Sequence, residues 1–489
     1  MHWSLLLSAG LEHLASRYGY AFVRATARAR RLGVALFLAG LCLASPARGQ
    51  SGAPEQRYFD WTDLPFADDE YDRRRQGIAR QLLDAGGGML LVPSRDGVSH
   101  GETFRQLDDF MYLTGLELPN AILVFNADAR EMLLFVPDRD ARFENPGRPN
   151  DFPGRPVLDD TLFAQKTGIP MLPLAQLREV LSAWASTDRP LYVNAGAPGP
   201  ITPVEVGYFA HFTPAEHLIH YLQTTYGSAR LENAYAMFAR VRMVKSSAEI
   251  ARLHAAARLT GNAIARAAQQ VKPGVTERDM EAVVEAACKE GGGQRMPFAP
   301  IVKSGPNALW PWRILAAHYN RRNRAMQAGE VVIFDVGCEL GYYVSDVGRT
   351  LPVSGTFTEE QKKLLDMQRA VSDAIIAAVK PGVTFADLQQ AARAATPAEA
   401  LPFMQVADFF GHHIGLDAGD PSLRDAPLEA GMVFTVEPWY YNHRTGQSVF
   451  LEDVILVTEQ GAENLTSYLP RTPERLEMLM KGQIDLTGE

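Results

Sequence analysis

Two stretches of this chain alternate in the same way and end on an acid. In Val331-Val-Ile-Phe-Asp335, Val331, Ile333 and Asp335 fall on one face of a predicted strand; in Val433-Phe-Thr-Val-Glu437, Val433, Thr435 and Glu437 fall on the corresponding face of another. Each follows an Ala-Gly pair, Ala328-Gly329 and Ala430-Gly431, and in each the carboxylate stands seven residues after the Ala. An acid on an otherwise apolar strand face is costly unless it is paired or holds a metal. Two equivalent acids related by an internal pseudo-twofold axis would suit a site on that axis.

The helical pattern repeats as well. Val271-Lys-Pro-Gly-Val-Thr276 and Val379-Lys-Pro-Gly-Val-Thr384 each close one predicted helix with Pro and Gly and open the next, with Asp279 and Asp387 three residues after the Thr as capping partners. The helices before them begin alike, with Ser246 and Glu249 in one and Thr358 and Gln361 in the other. The second half of the chain therefore reads as a duplicated unit.

Upstream the pattern is different. A polar helix after Tyr71 and strands at Gly88-Met-Leu-Leu-Val92, Ala121-Ile-Leu-Val-Phe125 and Met132-Leu-Leu-Phe-Val136 predict a mixed α/β domain, with an exposed loop at residues 144–156. The long helices begin near Arg240. The division read from the chain is residues 1–49 as a signal region, 55–235 as an N-terminal domain and 240–480 as a domain built on the repeat.

Composition narrows the partners. At 489 residues, 46% apolar and 21% charged, the chain is globular, with room for two or three domains. Its formal charge is −9, and residues 1–49 hold six Arg and one Glu, so the remainder is more acidic still. That argues against nucleic acid or an anionic membrane as partner. Arg28, Arg30 and Arg31 precede an apolar run at residues 32–44, with Ala47 and Gly49 as small residues before a cut. A secretory signal cleaved near Gly49 is expected, since the run is short for a transmembrane helix of about 20 residues; secretion or a periplasmic location follows, with an uncleaved anchor as the alternative. Cleavage would remove Cys42 and leave Cys288 and Cys338, so disulfides are not expected to hold the fold together.

The chemistry-bearing residues fall in both copies. The first supplies Asp335 and Asp346, the second His412, Glu437 and Glu452. Singly they have plainer readings: Asp346 as a turn cap, Glu452 in a surface ion pair, His412 or His413 packed in a core. Together, four carboxylates and one imidazole can hold two divalent ions, and oxygen-rich ligation favours Mn2+ without excluding Zn2+, Co2+ or Fe2+.

With these residues in place, the chain resembles the metal-dependent aminopeptidase P and prolidase family, which has a pita-bread catalytic fold. The likeness covers most of the mature sequence. It runs through Phe334-Asp-Val-Gly-Cys-Glu339, Ser345-Asp346, Gly411-His-His-Ile-Gly-Leu416 and Thr435-Val-Glu-Pro438, and through the N-terminal segment Phe104-Arg-Gln-Leu-Asp-Asp-Phe-Met-Tyr-Leu-Thr-Gly115. The resemblance implies an α/β fold with an aminopeptidase P-like (creatinase-type) N-terminal domain and a pita-bread catalytic domain. It implies Asp335, Asp346, His412, Glu437 and Glu452 as metal ligands, with His412 rather than His413 at the ligand position. It makes Glu437 a proton shuttle as well, and His318, in His318-Tyr319 seventeen residues before Asp335, the donor to the reacting carbonyl. It implies a peptide substrate with proline second and a homo-oligomer, dimer or tetramer. Two ions can activate water and polarise the carbonyl, so no Ser or Cys nucleophile is needed.

The chain departs from the family at three positions. Gly419 and Asp408 stand where the family has histidines, and Phe450 where it has an Arg. Trp310-Pro-Trp312 is an insertion, either a packed loop or an apolar wall for the substrate's first side chain. The activity expected is removal of the N-terminal residue from Xaa-Pro peptides, with a prolidase-type dipeptidase or a non-catalytic peptide-binding protein as alternatives.

Overall fold

The computed structural model describes residues 64–97, 103–137, 158, 165, 167–203, 212–309, 323–404, 410–484 and 486. The signal region, the loop at 144–156, Trp310-Pro-Trp312, His318 and Asp408 lie outside the described residues. No helix among the described residues is long and apolar enough to cross a membrane. The chain forms two compact units that part between Ala234 and Tyr235, with residues 196–198 grouped with the second.

In the first unit, helix α1 (Asp68–Asp84) leads into strand β1 (Met89–Pro93), and α2 (Asp108–Thr114) follows. Strand β2 (Ile122–Asn126) pairs antiparallel with β1, and β3 (Glu131–Val136) pairs antiparallel with β2, each on an apolar run read from the sequence. Strand β4 (Met171–Pro173) lies parallel to β3 at one edge. Helix α3 (Leu177–Ala185) carries the chain to β5 (Pro190–Val193), parallel to β1, and α4 (Pro214–Thr225) crosses from β5 to its parallel neighbour β6 (Arg230–Asn233). The six-stranded order is β4-β3-β2-β1-β5-β6. Met89 and Leu91 pack with Trp184 of α3 and Leu222 of α4, while Leu90 is also fully buried. Both faces of β1 are covered, which is why its sequence reads as a continuous apolar run.

The second unit carries the duplication. After α5 (Tyr235–Met243), the first copy runs through α6 (Ser247–Ala268), α7 (Glu277–Glu290) and an antiparallel sheet of β7 (Ile301–Ser304), β8 (Val331–Val336) and β11 (Val347–Pro352), with β9 (Glu339–Leu340) and β10 (Tyr343–Val344) as a small hairpin. The second copy runs through α8 (Glu359–Ala378), α9 (Phe385–Ala395) and β12 (Val433–Val436), then the hairpin β13 (Trp439–Asn442) and β14 (Gln447–Phe450). Strands β15 (Asp453–Thr458) and β16 (Gly461–Asn464) complete its sheet with β12, and α10 (Pro473–Met480) closes the chain.

The capping residues read from the sequence act as expected. Ser246 with Glu249, Thr276 with Asp279, Thr358 with Gln361 and Thr384 with Asp387 all form reciprocal capping boxes. The Pro-Gly turns match in detail too. Gly274 and Gly382 adopt φ of 89° and 91°, a region that favours glycine, and donate their N–H groups to Met326 and Leu428, each two residues before its Ala-Gly pair.

One expectation fails. Cys288, in the last turn of α7, and Cys338, just past β8, form a disulfide with Cα atoms 5.7 Å apart, and both are fully buried. Fifty residues separate them, so nothing in their spacing announces the pairing; the docking of α7 against the β8 hairpin creates it.

Candidate metal centre

The two copies meet at a glycine. Gly348 on β11 pairs with Asp335 on β8, and on its other side exchanges both backbone hydrogen bonds with Glu452 (3.3 and 3.0 Å). Asp335 and Glu452 thus flank a residue without a side chain. The absence is required, because a Cβ at Gly348 would lie 2.1 Å from Cε1 of Phe450 and 3.0 Å from Cβ of Glu452. Asp346 enters from the turn between β10 and β11.

The other two residues come from a second stitched pair of segments. Thr435 donates its N–H to the His412 carbonyl at 2.9 Å and Glu437 donates its own to the Phe410 carbonyl at 2.8 Å, so residues 410–414 lie beside β12 like an extra strand. Gly411 permits the approach, since a Cβ there would fall 1.8 Å from the Thr435 carbonyl oxygen. The far end of the segment is held from α5 and the residues just after it, where buried Asp420 pairs with Arg242 and, at 3.2 Å, with Lys245.

These supports bring the side chains together. His412 Nε2 lies 3.2 Å from Glu437 Oε1 and 3.6 Å from Asp346 Oδ2. Ligand atoms of Asp346, His412 and Glu452 all fall within 4.8 Å of one another. His412 Nδ1 sits 3.2 Å from the His413 carbonyl; donating there turns the Nε2 lone pair towards the carboxylates. His413 itself faces away, stacked on Phe385 at 5.2 Å, and burial with Lys245 nearby pushes its pKa down to about 3.

Electrostatics mark the cluster as incomplete without a cation. Burial, then the charge of Glu437, pushes Asp335 up to about 7. Burial and the neighbouring carboxylates push Asp346 and Glu452 well above the usual range. Contact with Glu437 outweighs burial at His412 and raises its pKa. Asp346 Oδ1 and both oxygens of Glu452 are buried without a hydrogen-bond partner. Ionised acids in that state are unstable unless a cation joins them, and an oxygen-rich set with one imidazole suits divalent ions of the harder kind. The residues present fit a divalent metal ion.

The departures also have places in the structure. Phe450 is fully buried against Trp439, ring centres 4.5 Å apart, in a small apolar cluster with Ile333 and Ala308. A Cβ at Gly419 would meet open space. Sequence reasoning did not find the supports: the Asp420 pair with α5, the Thr435 hydroxyl, and buried Arg349, which donates to the Glu452 carbonyl and to Asp453. For Thr435 and Arg349 the signal was a hydroxyl or charged residue in an apolar run beside a ligand candidate; Asp420, in a polar loop, carried none.

Comparison with known proteins agrees with this geometry. The pattern of metallopeptidase family M24 matches residues 251–459, and that of the aminopeptidase P N-terminal domain matches residues 71–145. The chain is 25% identical over 457 residues to the Xaa-Pro aminopeptidase of Escherichia coli K12, covering 84% of this chain and 97% of that one. It is 26% identical over 401 residues to mitochondrial intermediate cleaving peptidase 55 of Arabidopsis thaliana, covering 77% and 75%. Over 234 residues it is 30% identical to the Xaa-Pro dipeptidase of Pyrococcus furiosus, covering 46% and 64%. Its fold is that of Pseudomonas aeruginosa aminopeptidase PepP (TM-score 0.70, 23% identity, 87% and 99% covered) and of E. coli aminopeptidase P (TM-score 0.69, 24% identity, 86% and 99% covered).

Proposed function

Because the chain belongs to metallopeptidase family M24 and carries an aminopeptidase P-type N-terminal domain, we propose that it is an Xaa-Pro aminopeptidase, removing the first residue from peptides with proline second. The observation that carries this reading is the clustering of Asp346, His412 and Glu452, with Glu437 3.2 Å from His412, Asp335 interacting with Glu437 and Asp346, and three buried carboxylate oxygens unpartnered. These five residues would hold two divalent ions, with Mn2+ favoured by the oxygen-rich set.

Bound there, the ions would polarise the scissile carbonyl and lower the pKa of water from 15.7 towards about 7. The chain's own groups do the rest. Glu437, with Oε1 held by Thr435, takes the proton from the attacking water and passes it to the departing nitrogen. His412 is held by its Nδ1 contact and keeps Nε2 directed at the acids. His318, by likeness to the family, donates to the developing oxyanion.

We place the mature enzyme outside the cytoplasm, in the periplasm or secreted. The basic and apolar N-terminal run supports this, and so does the Cys288–Cys338 disulfide, since such bonds persist in oxidising compartments. Self-association as a dimer or tetramer rests on the family resemblance.

The test is hydrolysis of Xaa-Pro-Xaa peptides and Xaa-Pro dipeptides by the chain from Gln50 onward, with chelator and then Mn2+ added back. Release of the first residue from the longer peptides, lost with chelator and restored by Mn2+, is the expected result. Cleavage of dipeptides alone would make it a dipeptidase, and no cleavage despite bound ions would make it a binding protein.

A further inference from the structure

Thr435 is fully buried, and its hydroxyl makes two hydrogen bonds to ligand candidates: it accepts the backbone N–H of His412 at 3.1 Å and donates to Glu437 Oε1 at 3.0 Å. We propose that Thr435 is a positioning residue, a single hydroxyl that fixes the Glu437 carboxylate and the His412 backbone relative to one another. The proposal rests on the reading of this cluster as a metal-dependent hydrolytic site.

The internal repeat supplies the contrast that supports it. Ile333 stands two residues before Asp335 as Thr435 stands two residues before Glu437, on the corresponding strand face. Ile333 packs with Ala308, Trp439 and Phe450, as a buried strand residue should. A hydroxyl in the equivalent place is disfavoured by burial unless it is hydrogen-bonded, and here both bonds go to the site rather than to the strand's own ladder. The Thr435 side chain is β-branched, which restricts its rotation, and its N–H is tied to the His412 carbonyl. The hydroxyl is therefore a fixed point. It restrains Oε1 of Glu437, the oxygen 3.2 Å from His412 Nε2, and thereby separates the roles of the two carboxylate oxygens. The acid of the first copy has an aliphatic side chain at that position.

Thr435→Val keeps the shape and removes the hydroxyl; Thr435→Ser keeps the hydroxyl and removes a methyl. Metal-free wild type and both variants would be titrated with MnCl2 by calorimetry, then assayed on an Xaa-Pro-Xaa peptide. The Val variant is expected to bind Mn2+ about 10- to 100-fold more weakly and to lose kcat by a similar factor with KM little changed, while the Ser variant stays within about threefold of wild type. A Val variant within about threefold of wild type in Mn2+ affinity, or a Ser variant as weak as Val, overturns the proposal. Should Val perturb the strand, seen as a lower melting temperature of the metal-free protein, Thr435→Ala against Thr435→Ser asks the same question with equal loss of the methyl. If wild type binds Mn2+ but cleaves no peptide, the hydrolytic reading fails, and the calorimetric comparison still decides the role of Thr435.

Discussion

Glu437 and its neighbours work through protons, and their surroundings determine when they hold them. With its carboxylate next to His412 and under the Thr435 hydroxyl, Glu437 is the proton carrier of the proposed reaction. Glu437→Gln keeps the size and the hydrogen bond and removes the basicity. It is expected to lower kcat by about 100-fold or more while leaving the melting temperature of the metal-free protein in place. The other acids respond to pH. Asp335 is raised from 3.8 to about 7, so between those values the folded metal-free chain holds a proton that the unfolded chain has released. Its contribution to stability declines as pH rises through that window, and Asp346 and Glu452 act in the same direction. A cation takes the place of the protons. The rise in melting temperature on adding saturating Mn2+ should therefore be larger at about pH 8 than at about pH 5. Equal shifts at the two pH values would mean that protons and metal do not share this site.

At the scale of elements, the site depends on how the 410–420 segment is held between β12 and α5. Its anchor on the α5 side is a fully buried carboxylate between two cations. Burial opposes ionisation of Asp420, but Arg242 and Lys245 outweigh it and hold its pKa below the ordinary 3.8. The stability this gives is fully present above that unfolded value and is lost as pH falls through the folded one. Asp420→Asn leaves two buried cations uncompensated and should cost about 3–5 kcal/mol at neutral pH. Denaturant melts of variant and wild type between about pH 2 and 7 would check the sign, the gap narrowing only below 3.8. The neighbouring repeat shows what a sequence conveys at this scale. Capping boxes and Pro-Gly turns were legible because each is made within four residues, by groups whose spacing fixes their geometry. The Asp420 anchor was not, since its cations lie about 175 residues away in sequence.

For the whole molecule, the Cys288–Cys338 bond ties the end of α7 to the strand that carries Asp335. Closing a 50-residue loop contributes about 4 kcal/mol on the chain-entropy account. Replacing both cysteines by serine should lower stability by roughly that amount, measured by denaturant unfolding. The wild-type chain from Gln50, unfolded without reductant, should titrate no free thiol. One free thiol per cysteine in protein recovered from its native compartment would remove this support for a periplasmic or secreted location.

The sequence by itself determined the duplication and the helix starts, and carried the family resemblance and the candidate acids and His412. Each is a matter of local spacing or of residue types at fixed intervals, which the chain carries without folding. Which residues hold those side chains in place was decided only by tertiary structure. Thr435 is one strand residue among apolar neighbours until the 410–414 segment lies beside β12. Asp420 is an ordinary loop acid until the end of α5 and the residues after it bring Arg242 and Lys245 to it, and Cys288 and Cys338 are two distant thiols until α7 docks. Burial made these contacts and also raised the pKa values of the acids, and burial is a property of the packed molecule that no local pattern contains.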